Sequence, residues 1–72
     1  MATYSDNIPK IESLQAGDQI TFGSNFTQSS PELQNFTDAG GSGNFITDTA
    51  GNQVGFAVTN PITNVLNTIG VP

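Results

Sequence analysis

The 72-residue sequence predicts a small, mainly β single domain with a central β-hairpin, a further strand and short helices, completed by oligomerisation. Three observations predict it. Apolar and polar residues alternate in Gln19-Ile20-Thr21-Phe22 and again from Val54 to Val58, the period of a half-buried strand. Clusters of Gly, Asn and Ser separate these runs, as turns do. The chain also has no cysteine. A domain this short buries a marginal core and usually leans on a disulfide, a metal or a neighbouring subunit.

Residues 1–17 are read as an N-terminal arm or a short helix. Asn7 can cap such a helix, and Pro9 falls in its first turn. Ile8, Ile11 and Leu14 recur at helical spacing, and Gly17 stands where a left-handed residue would end it. Asp18 to Gly23 is a strand, with Ile20 and Phe22 on its apolar side. Ser30-Pro31-Glu32 opens a helix of about two turns. Ser30 is its N-cap, Pro31 its first residue, and Glu32 faces the positive end of the dipole. Leu33 and Phe36 share one face. Asp38 to Gly43 reads as a flexible loop.

Asn44 to Asn60 is the predicted hairpin. Phe45-Ile46-Thr47 is β-prone, Val54, Phe56 and Val58 alternate, and Thr49-Ala50-Gly51-Asn52 supplies a turn. Gly55 and Ala57 lie on the opposite face, where small side chains admit a second backbone. A C-terminal helix is expected over 61–69, capped by Asn60 and opened by Pro61. Its stripe of Ile62, Val65, Leu66 and Ile69 covers the sheet or meets another subunit. These four residues, with Gly55 and Ala57, are the candidate interaction residues. The expected core takes in eighteen large apolar residues, Phe45 and Val54 among them.

The polar surface is made of neutral groups. Twenty-eight of the 72 residues are Asn, Gln, Ser or Thr, and seven are charged. Soluble domains average about a quarter charged residues. Lys10 is the only basic side chain, and the net charge is −5. One lysine cannot neutralise a run of phosphates or hold an anionic membrane, so no nucleic acid and no membrane is expected as partner. Met1 to Asp6 has neither the basic nor the apolar run of a signal peptide, so the sequons at Asn25 and Asn35 are expected to be coincidental.

Catalytic chemistry has few groups to use. Without His, Cys or Arg, the acid–base set is six carboxylates, Lys10 and Tyr4. Gly40-Gly41-Ser42-Gly43-Asn44 lacks the Lys of a phosphate loop. The chain is therefore expected not to be an enzyme and to hold no cofactor and no zinc, haem or iron–sulfur centre. Asp48 with Asn52, or Asp38 with Asn44, could offer oxygens to calcium. No EF-hand spacing accompanies them, and they read as turn residues.

Ala16-Gly17-Asp18-Gln19-Ile20-Thr21 and Thr49-Ala50-Gly51-Asn52-Gln53-Val54-Gly55-Phe56-Ala57-Val58-Thr59 resemble small head-decoration, or cement, proteins of tailed bacteriophages. The shared features are an Ala-Gly-Asp turn before a strand and a Gly-rich turn leading into a Val-Gly-x-Ala-x-Thr-like strand. The resemblance implies a compact β-rich homo-oligomer, often a trimer, on the capsid surface of a virion. There it would bind capsid protein or another virion protein and strengthen contacts between capsid subunits. The alternative expectation is a tail, fibre or adhesin module that binds a receptor or glycan, since amide and hydroxyl side chains suit sugar hydroxyls.

Overall fold

The computed structural model describes residues 1–8 and 10–62. The fold is mainly β. Among the described residues, one four-stranded mixed sheet is packed on one face by one α-helix and by loops. In chain order the elements are β1 (Thr3–Ser5), a 3-10 turn (Ile11–Ser13), β2 (Gln19–Thr21), α1 (Pro31–Asp38), β3 (Ser42–Thr47) and β4 (Gln53–Asn60). The spatial order is β1-β2-β4-β3. β1 runs parallel to β2, whereas β4 is antiparallel to both β2 and β3.

The predicted hairpin is β3–β4, and the predicted strand around Ile20 is β2. Ile20 is fully buried between exposed Gln19 and Thr21, as alternation requires. The N-terminal segment differs from its expectation. The helix suggested by its apolar spacing is reduced to one 3-10 turn. Thr3–Ser5 pairs with the chain's own β2, and only Ile11–Ser13 is helical. A run this short cannot offset the cost of nucleating an α-helix. Leu14 is already extended (ψ 135), and Gly17 takes its left-handed conformation (φ +94) in the turn before β2.

α1 begins where Ser30-Pro31 predicts, with Ser30 extended at the cap position. The Ser30 hydroxyl does not bond to the helix. It donates to the Thr27 carbonyl and accepts the Thr27 N–H at 3.1 Å, which closes the turn before α1. The glycine-rich stretch after α1 is not a flexible loop. Gly40 (φ +101) donates its N–H to the Thr37 carbonyl at 3.1 Å, and the Gly41 N–H reaches the Phe36 carbonyl at 3.0 Å. This pair of bonds is a Schellman cap, which a left-handed glycine permits. Ser42 and Gly43 already belong to β3.

The core consists of Leu14, Ile20, Phe26, Leu33, Phe36, Phe56 and Val58, with Tyr4, Ile8, Ile11, Phe22 and Ile62 packed against it. All five phenylalanines join ring to ring in the order Phe26, Phe22, Phe45, Phe56, Phe36, with centroids 5.3–6.2 Å apart. Phe45 and Val54 depart from the expected core, being 41% and 37% exposed. Val54 lies beyond the last β2–β4 pair, Thr21 with Gly55, and Phe45 is on the outer strand of the sheet.

Candidate functional site

The register assigns each side of the sheet. Tyr4, Ile20, Phe56 and Phe45 stand in one row across all four strands and face the core. The rows on either side project from the other face, because neighbouring residues in a strand alternate. One is Thr3, Gln19, Ala57 and Asn44; the other is Ser5, Thr21, Gly55 and Ile46. No described element packs over this second face. Thr3, Ser5, Gln19, Thr21, Asn44 and Thr59 are exposed, and Ile46 and Ala57 are half-buried.

This face has no charged side chain, and the same holds for the entire sheet. All seven charged residues, Asp6, Lys10, Glu12, Asp18, Glu32, Asp38 and Asp48, lie outside the four strands. Even the outer strands β1 and β3 lack the charges and prolines that commonly protect a sheet edge from pairing. Gly55 and Ala57 lie on this face of the inner strand β4, Gly55 buried and Ala57 half-buried. Ile46 crowds Gly55: a Cβ built there would lie 3.4 Å from the Ile46 Cδ1 and 2.7 Å from the Ile20 carbonyl. The two small residues thus share one face, but only Ala57 is accessible on it. Ile62 packs against the core. Val65, Leu66 and Ile69, with the rest of the helix expected over 61–69, lie outside the described residues.

Three carboxylates hold the loops that frame the sheet. Asp18 is 2% exposed and accepts the N–H of Ala2 at 2.8 Å and of Gln15 at 2.9 Å. The Gln15 bond foremost, then the Ala2 bond, lowers its pKa from the ordinary 3.8, against the upward push of burial. Asp6, left-handed at φ +65, accepts the N–H of Asn25 at 2.7 Å and of Phe26 at 3.0 Å. Asp48 accepts the N–H of Ala50 and of Asn52, both at 2.9 Å, on one oxygen and the Asn52 side-chain amide on the other. The Asn52 N–H is the main cause of its lowered pKa. Donors therefore converge on Asp48 where a calcium site would need oxygens. Among the described residues, no three carboxylates cluster in a way that could hold a metal ion.

A second surface lies on the helix side. A groove of about 480 Å³ runs between α1 and β3, lined by Gln28, Leu33, Gln34, Thr37, Phe45 and Phe56 together with Gly41, Ser42 and Gly43. Sequence reading did not find it, because its two walls come from elements joined by a cap that reads as a loop. Comparison of the chain with protein-family models, curated proteins and solved structures finds no match.

Proposed function

We propose that the protein is a structural virion subunit, a capsid decoration or cement protein that self-associates and docks between capsid subunits of a phage head. The observation that carries this reading is the sheet without a charged side chain, one face of which no described element covers. Burying lysines or glutamates against a partner costs several kcal/mol per unpaired charge, whereas amides and hydroxyls need only a hydrogen-bond partner. The small side chain of Ala57, half-buried on this face, lets a partner approach the inner strand. The virion setting rests on the resemblance of the Ala16–Thr21 and Thr49–Thr59 segments to cement proteins.

Sedimentation of the purified chain tests the association, and co-sedimentation with undecorated phage heads tests the docking. The native chain is expected to form oligomers that persist when salt is raised from about 0.05 to 0.5 M, because no charge pair holds a neutral interface. Thr21→Lys, at an exposed strand position, is expected to dissociate the oligomer and abolish head binding while its circular dichroism stays native. A monomer at all concentrations, or a Thr21→Lys chain that associates like the native one, overturns the reading.

A further inference from the structure

We propose that the groove between α1 and β3 binds a neutral saccharide, a role separate from assembly through the opposite face. The inference rests on how its polar side chains are already committed. The Gln34 amide nitrogen donates to Asp38 Oδ1 at 2.9 Å, which fixes the side chain and leaves its carbonyl oxygen as an acceptor. The Thr37 hydroxyl donates its proton to the Gln34 backbone carbonyl at 2.9 Å, leaving acceptor lone pairs. The Ser42 hydroxyl accepts from the Asn60 amide at 2.9 Å, leaving its own proton to donate. Gln28 adds a second amide to the lining.

The lining residues therefore carry both acceptors and a donor, and three of them are already held by intramolecular hydrogen bonds. A sugar hydroxyl both donates and accepts, and it matches such a set. Preorientation also reduces the entropy lost when a ligand binds. The apolar part of the lining is aromatic. Phe45 is 41% exposed, and its ring stands at 74° to that of Phe56 with centroids 5.3 Å apart. An aromatic face is electron-rich and attracts the polarised C–H groups of a sugar ring. The volume falls within the range of roughly 300–1,000 Å³ usual for small-molecule sites. No lining residue is ionisable, and the net charge of −5 disfavours an anionic ligand.

The test is a titration of isotope-labelled protein followed by amide NMR. The probes are neutral di- and trisaccharides of glucose, galactose, mannose and N-acetylglucosamine, with sialylated and sulfated counterparts, each to roughly 10 mM. At least one neutral probe is expected to shift the amides of Gln34, Thr37, Ser42 and Phe45 together. Thr37→Val is expected to weaken that binding about fivefold, the effect of one net hydrogen bond, and Thr37→Ser to retain it. Phe45→Ala should weaken it further. Absence of any shift with the neutral probes, shifts confined to another surface, a stronger response to the anionic sugars, or equal affinity in Thr37→Val each overturns the proposal.

Discussion

Asp6, Asp18 and Asp48 do the work of caps. Each accepts two backbone N–H groups in loops that contain few apolar side chains. Buried or turn N–H groups left without an acceptor are costly, so a short polar side chain there replaces secondary structure. The Asp48 turn was legible in the sequence, because an Asp followed by Gly51 and Asn52 is a local pattern. Asp6 and Asp18 were not. Asp6 bonds to residues nineteen and twenty positions away, and no local spacing encodes that reach. Asp18 makes the pH response predictable. Its pKa is lower folded than unfolded, so its stabilisation is complete above the ordinary 3.8 and is lost as pH falls toward the folded value. Thermal melts should show a midpoint that drops as the solution is acidified below about pH 4. Asp18→Asn should melt lower than the native chain near neutral pH and lose less on acidification. An equally steep acid limb in the variant would sink this account of Asp18.

At the scale of elements, the glycine-rich stretch after α1 carries the largest revision. Composition suggests a loose linker, yet Gly40 turns the chain and Gly43 is a strand residue. Glycine's presence reflects crowding as well as freedom. A Cβ built on Gly43 would collide with the Ala57 carbonyl and would lie 2.7 Å from the Phe56 ring. The carbonyl is backbone and Phe56 is 3% exposed, so neither can yield cheaply. Gly43→Ala is expected to destabilise the domain by about 1–3 kcal/mol, the usual cost of overpacking. Asn44→Ala, one residue along the same strand, should stay within about 0.5 kcal/mol. Urea unfolding of the two variants measures the difference, and similar midpoints would refute the crowding. The hairpin, β2 and the start of α1 were legible because each has a local signature: alternation, or Ser-Pro ahead of Leu33 and Phe36. β1 had none. Thr3, Tyr4 and Ser5 form a strand because Gln19, Ile20 and Thr21 offer them an edge.

At the scale of the whole molecule, neutral side chains on the sheet and charged ones off it divide the protein into two chemistries. Composition showed that charge was scarce. Only the strand boundaries show that it is absent from one entire layer. The groove was illegible for a related reason. Its polar residues come from α1 and β3, and their spacing along the chain has no bearing on a site that exists only after α1 packs on the sheet. The strand order also has a kinetic consequence. β3 and β4 are joined by one tight turn, whereas β2 can pair with β4 only after the chain between them has closed into a large loop. Local pairing carries the smaller closure entropy, so the hairpin is expected to form in the folding transition state and the β1–β2 side to zip on afterwards. In stopped-flow measurements Asp48→Ala, in the hairpin turn, should mainly slow refolding. Asp18→Asn, on the late side, should mainly quicken unfolding. The reverse partition would place the nucleus at the chain's beginning. With hairpin-first folding, the uncharged edge of β3 is presented to other chains before the rest of the sheet exists, and the rate at which β2 arrives decides how long that edge stays open to the wrong partner.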